Sequence, residues 1–267
     1  AEVKSQVDQA LLDYDGPTKA EMDARFDDVD TAVSDVQATA DEIEATVDDQ
    51  ITYAGLILFG SRRALGRHLS QAEVTYEYRA SDASGPAQHR KEFREAFFLW
   101  YDELWELINQ RNDLQHFQVG PLVLDVPTFH ERGIREAVLN AVSHRNYQLG
   151  GNVFIRQYPN RIEITSPGGL PVEVRLETIL YRQSPRNRRI ADIFTKCGLV
   201  ERSGQGMNLM FESAIQHSKR LPDFTGTDDY QVSITLHGMM HNPSFVRYLR
   251  QFEDEVKNTL STDHWLV

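Results

Sequence analysis

Ile134–Pro171 reads IREAVLNAVSHRNYQLGGNVFIRQYPNRIEITSPGGLP, and a helix, a hairpin and a glycine turn can be read from it in that order. The first part places Glu136, Asn140 and His144 four residues apart, so they share one helical face, while Val138, Leu139 and Val142 occupy the other. Lys, Glu and Gln are the cheaper residues for a solvated helix surface, and Asn is a poor helix former, so an Asn in this line asks for a chemical reason. A carboxylate can orient and deprotonate a water. An amide oxygen one turn later can hold a hard cation such as Mg²⁺. Asn152–Tyr158 and Arg161–Thr165 are joined by Pro159-Asn160 and predict a hairpin. Val153, Ile155 and Gln157 share one of its faces, continued by Ile162 and Ile164. The second strand runs into Ser166-Pro167-Gly168-Gly169, where glycines permit close approach of backbone to a ligand.

Downstream, Arg182–Arg189 (RQSPRNRR) is a loop with four arginines, suited to phosphates, to nucleic acid or simply to water. Ile190–Lys196 predicts a short helix closed by Gly198. Ser203-Gly204-Gln205-Gly206 then enters a helix over Met207–His217, and a glycine-rich turn at a helix start is a ready anion site because the first-turn N–H groups are free. Tyr230–Leu236 alternates and closes the sheet. These elements together predict an α/β two-layer sandwich with a mixed, mostly antiparallel sheet.

Upstream, residues 51–126 read as scaffold. Ile51–Phe59 is a helix start or a buried strand, and Val74–Tyr78 is a strand. Arg90–Arg111 reads as one helix with Phe93, Phe97, Trp100, Leu104 and Leu107 on its core face, and Gly120–Val126 as a short strand.

The chain has 267 residues and a net charge of −12, unevenly spread. Residues 1–50 hold 15 acidic and 3 basic side chains, whereas the rest hold 25 of each sign. Met22, Phe26, Val29, Val33, Val36, Ala40, Ile43 and Val47 follow a seven-residue repeat without Gly or Pro, which predicts a long acidic helix. Its flanks carry mostly Asp and Glu, so it is expected to pack on a different helix rather than on its own copy, or to cover its own domain as a surface helix. Residues 239–267 predict a C-terminal helix (Phe245, Leu249, Phe252, Val256, Leu260), a second candidate for helix-mediated assembly. The domain reading is therefore 1–50, 51–126, 127–238 and 239–267. A single cysteine, Cys197, excludes an internal disulfide framework and reads as an inert small hydrophobe. His237 and His241 lack an evident third ligand for a metal site. With no run of 18 apolar residues and no secretory signal, the expectation is a cytoplasmic protein without a membrane span.

The runs IREAVLNAVSHRNY, RIEITSPGGLP and PRNRRIADIFTKCGLVERSGQGM resemble the nucleotide-binding module of the GHKL superfamily of ATPases, and more closely the C-terminal part of bacterial proteins labelled transcriptional regulator or RecG-like. The likeness runs from Thr52 (TYAGLILFG) to about Gly238. It implies a fold of Bergerat type binding ATP with Mg²⁺, with slow hydrolysis used for switching. Glu136 would match the water-activating Glu and Asn140 the Mg²⁺-binding Asn. Ser166, Gly168 and Gly169 would fall in the second box, Gly204 and Gly206 near the phosphates, and Arg186 and Asn187 in the lid. The superfamily's adenine-contacting Asp is replaced here by the Ser of Ser-Pro-Gly-Gly. It also implies a Schlafen-like, Alba-type DNA-binding domain upstream. No Gly-x-x-x-x-Gly-Lys-Ser/Thr loop is present, which leaves helicase action unsupported. Two other readings stand beside this one: a winged-helix-like DNA contact near residues 186–207, and an architectural module built on the two terminal helices.

Overall fold

Two short helices open the described part of the chain, each started by a hydroxyl. Thr52 accepts from the Gly55 N–H at 3.2 Å ahead of α1 (Tyr53–Phe59), and Ser61 accepts from the Ala64 N–H at 3.2 Å ahead of α2 (Arg62–His68). The computed structural model describes residues 51–83, 85–119, 122–182, 184–200 and 206–256. The acidic heptad segment, Gly204 and residues 257–267, with Leu260 of the expected C-terminal helix, lie outside these.

The order continues with β1 (Val74–Tyr78), β2 (His89–Phe93), α3 (Phe97–Asn109), β3 (Leu114–Val119), β4 (Leu122–Pro127) and α4 (Glu131–His144). Next come β5 (Val153–Tyr158), β6 (Arg161–Pro167), a 3₁₀ turn at Leu176–Thr178, α5 (Arg188–Lys196), α6 (Gly206–Gln216), β7 (Gln231–His237) and α7 (Pro243–Val256). The main sheet has the order β2-β1-β5-β6-β7, with β1 and β5 parallel and the other neighbours antiparallel. This is a mixed α/β fold. Segments 51–126 and 127–238 share that sheet and one apolar core. β3 and β4 form a separate hairpin, against which α7 packs.

The expected single helix over Arg90–Arg111 is corrected to a strand, a short connection and a helix. The charge pattern explains the difference. Arg90 lies opposite Glu77 in the β1–β2 register and pairs with it at 3.3 Å, so alternating charges favour a strand edge. Helix α3 begins only at Phe97 and buries Phe97, Trp100, Tyr101, Leu104, Trp105 and Ile108. Phe93 joins the same core from β2. Residues 114–119, unassigned from sequence, pair with β4. The Pro159-Asn160 hairpin has the expected register, with Ile155 opposite Ile164.

The two faces of the sheet divide the chemistry. One carries Tyr76, Val153, Ile155, Ile162 and Ile164 into the core. Gln157 shares this face and is fully satisfied there: it accepts from Tyr76 Oη at 2.6 Å and donates to the carbonyls of Ile108 and Arg111 at 3.1 and 3.2 Å. Burial pushes the Tyr76 hydroxyl up to about 12. On the opposite face Glu77, only 4% exposed, is surrounded by Arg79, Arg90 and Arg156 at 3.1, 3.3 and 3.5 Å.

Arg145, directly after α4, is 1% exposed. Its guanidinium donates to the carbonyls of Gln71 at 2.7 Å, Asn146 at 3.1 Å and Leu149 at 3.3 Å, and also to Gly151. It lies 4.8 Å from the Tyr147 ring centroid. Among the described residues no carboxylate pairs with it. Carbonyl dipoles and a π face hold the charge, and burial lowers its pKa below the usual guanidinium range. Lys219 plays a similar part at the other end of α4, with Nζ donating to the carbonyls of Pro127 and Thr128 at 2.9 Å each. Burial pulls its pKa down to about 8.

Two outcomes follow from these buried cations. Arg145→Leu leaves four loop carbonyls without their donor and is expected to destabilise the fold by about 3 kcal/mol, read as a lower urea midpoint; an unchanged midpoint would show that the loop closes without it. The ammonium of Lys219 is harder to protonate folded than unfolded, so its cost is fully present below about pH 8 and is relieved as pH rises toward 10.5. Between pH 8 and 10 the stability of Lys219→Met should therefore gain less with pH than that of the parent chain, as equilibrium unfolding at each pH will show.

Candidate functional site

Helix α4 places Glu136, Asn140 and His144 along one wall of a cavity of about 310 Å³. This lies at the lower end of the ~300–1,000 Å³ common for ligand pockets. Strands β6 and β7 contribute Ile164, Ser166, Val232 and Ile234. The turn Gly168–Pro171, the segment from Val174 to Pro185, α5 and the start of α6 close the remaining sides. The cavity thus gathers elements far apart in sequence; α4 supplies Glu136, Asn140, Ser143 and His144 to its lining, and the facing elements add Ser166, Arg182, Asp192 and Thr195.

Glu136 is 6% exposed although it is a carboxylate, and its surroundings explain how it is tolerated. Asn140 Nδ2 donates to Glu136 Oε1 at 3.0 Å and to the Glu136 carbonyl at 3.0 Å. These bonds use the amide's N–H groups and leave Oδ1 as the end that can meet a cation. Gly206 opens α6 against the same carboxylate, and a Cβ at that position would fall within the van der Waals envelope of Glu136 Oε1. α4 and α6 therefore approach closely at a carboxylate because position 206 has no side chain.

The second glycine segment has a different physical basis. Gly168 has φ +101°, and a Cβ there would lie 2.6 Å from the Asn146 Cβ. At Gly169 a Cβ would lie 2.7 Å from the carbonyl oxygens of both Asp228 and Asp229. The Gly168 N–H donates to the Tyr230 carbonyl at 2.6 Å. These glycines are required by the protein's own chain packing on both sides, and they line the cavity as a consequence. Ser166, buried at the end of β6, donates Oγ–H to the Ala141 carbonyl at 2.8 Å, which ties β6 to α4.

The basic loop divides into parts. Arg182 lines the cavity. Arg186 is exposed, donates Nη2–H to the Gly169 carbonyl at 2.7 Å, and borders a shallower neighbouring hollow instead. Asn187 does not line the cavity. Its Nδ2 donates to the carbonyls of Ser143 and Arg145 at 2.9 and 2.7 Å, tying the start of α5 to the end of α4. His144 lines the wall, and burial followed by the Arg186 charge lowers its pKa below the usual imidazole value. Cys197 is buried, and desolvation raises its thiol pKa.

Sequence reasoning missed the apolar half of the cavity, including Val174, Ile179, Met207, Met210 and Phe224. Val174 and Ile179 come from the segment after β6, Met207 and Met210 from one face of α6 and Phe224 from the approach to β7, so only the folded chain unites them. It also missed Arg145, whose polar neighbours are backbone atoms with no residue code. α6 packs against α4 with Met210 and Ala214 buried.

A family model described as "Putative ATP-dependent DNA helicase recG C-terminal" matches residues 150–236. No curated protein matches the sequence. Among solved structures, the DIP2311 protein from Corynebacterium diphtheriae is similar, with a TM-score of 0.64 and 23% identity. The match covers 75% of this chain and 40% of that one, so this chain spans less than half of its neighbour. At that identity the likeness speaks for the fold. No described helix is long and apolar enough to cross a membrane.

Gly206→Ala is expected to push the Glu136 carboxylate out of place and part α4 from α6, costing about 1–3 kcal/mol as an overpacked site. Thermal unfolding reads the cost, and Glu136→Gly in the Gly206→Ala background should recover part of it. A Gly206→Ala chain as stable as the parent would mean that the two helices separate without strain.

Proposed function

We propose that the cavity binds a nucleotide, ATP with Mg²⁺, and that the chain is a nucleotide-binding module of a bacterial regulator in which any hydrolysis is slow and serves switching. The observation that carries this reading is the Glu136–Asn140 pair at 3.0 Å on the wall of a cavity bordered by both Gly168-Gly169 and Gly206. The family match over residues 150–236 supports an ATP-binding module.

The division of the cavity suits such a ligand. Val174, Ile179, Met210 and Phe224 offer apolar surface to the two faces of a base. The Ser166 oxygen, whose proton goes to Ala141, keeps lone pairs that can accept from a base N–H. Asn140 Oδ1 supplies one oxygen to a hard cation whose other positions are filled by phosphate and water, the usual arrangement for Mg²⁺. Glu136, one turn away, is placed to accept a proton from an attacking water. Arg182 brings a cation to the same cavity.

Calorimetry with ATP and Mg²⁺ is the deciding measurement. Saturable heat is expected with the parent chain, at least a tenfold loss of affinity with Asn140→Ala, and retained binding without hydrolysis with Glu136→Gln. Absence of heat at millimolar ATP would overturn the reading, and hydrolysis persisting in Glu136→Gln would remove Glu136 from the role of base.

A further inference from the structure

The cations of the described body are held in several ways. Arg79, Arg90, Lys91, Arg94, Arg135, Arg156 and Arg161 all pair with carboxylates. By contrast, Arg62, Arg63 and Arg67 on α2 and Arg188, Arg189 and Lys196 on α5 are exposed, and none forms an ion pair with a described residue. The two helices have a common neighbour, since α1 packs against both. A run of ring contacts spans the ground between them: Phe59 to Phe98 at 5.6 Å, Phe98 to Phe97 at 5.4 Å, and Phe97 to Phe194 of α5 at 4.7 Å. α2 begins three residues after Phe59. On α5, Ile190 and Phe194 are buried while the three cations remain outside.

We infer that the exposed sides of α2 and α5 are a binding surface for the phosphate backbone of a nucleic acid. Five of the six cations are Arg, whose planar fork matches phosphate oxygens two at a time. Neither helix exposes a large apolar side chain, which a lipid surface or an amphipathic peptide would require. The recognition is of backbone charge and is independent of base sequence, because six cations suited to phosphate outnumber the one exposed carboxylate of these helices, Asp192, which lies at the cavity rim. Residues 51–267 carry equal numbers of acids and bases, and a local patch rather than net charge decides contact. The surface acts whether or not the cavity holds a nucleotide.

The test is binding of a fluorescent 20-base-pair duplex to the full 267-residue chain across a salt series. The parent chain should bind at 50 mM salt and weaken steeply as salt rises. Arg62→Glu/Arg63→Glu/Arg67→Glu and Arg188→Glu/Arg189→Glu/Lys196→Glu should each weaken binding at least tenfold, lowering the slope of log affinity on log salt by about 0.9 for every phosphate that is no longer neutralised. The same positions changed to Gln should move in the same direction by less, with the parent's thermal midpoint retained as proof of folding. Arg175→Glu/Arg220→Glu, which reverses exposed cations outside both helices, should stay within twofold of the parent. The inference is overturned if the parent does not bind the duplex at 50 mM salt. It is also overturned if either helix set binds like the parent, if the Arg175/Arg220 control falls with them, or if phosphatidylserine vesicles compete as well as unlabelled duplex.

Discussion

The close approach of α4 and α6 at Glu136 is the constraint on which the site depends. A carboxylate buried to 6% exposure must be satisfied, and Asn140 does this from one turn away on the same helix. The partner helix can come close because Gly206 leaves the space that a methyl group would fill. One residue choice on each helix therefore fixes both the packing and the polar wall of the cavity. The packing of the two helices and the polar wall of the cavity therefore rest on the same atoms.

The sheet shows how the protein separates its charges. Its core face tolerates a polar pair, Tyr76 and Gln157, because the two side chains satisfy each other and the carbonyls beside them. Its opposite face keeps Glu77 beneath three guanidiniums, an arrangement more neutral than its composition suggests. The arginines used there are already committed. The cations of α2 and α5 have no such partner among the described residues, and an equal count of acids and bases in residues 51–267 hides a polar distribution.

The residues that sequence reading located best were those with strict periodicity. The line Glu136-Asn140-His144 and the alternation of Val153, Ile155 and Gln157 both appear on the faces their spacing predicts. It failed at 89–93, where aromatic and charged residues at helical intervals concealed a strand stabilised by cross-strand pairs that only the fold brings opposite. The turn Gly168-Gly169 was legible as a place of close approach, but not as an approach to Asn146 and to the Asp228–Asp229 backbone. Asn187 looked like a ligand contact within an arginine-rich loop; its partners are two carbonyls at the end of α4, which leave no mark in the order of side chains. The apolar half of the cavity has the same character, since its members come from segments far apart in sequence.

The two ends of the segment between Pro171 and Asn187 are fixed by unlike means. At one end the chain is wedged between Asn146 and the entry to β7, and at the other an amide is riveted to the last turn of α4. Arg186, donating to the Gly169 carbonyl at 2.7 Å, joins these two ends, so the chain leaves and returns to one closed base at the edge of the cavity.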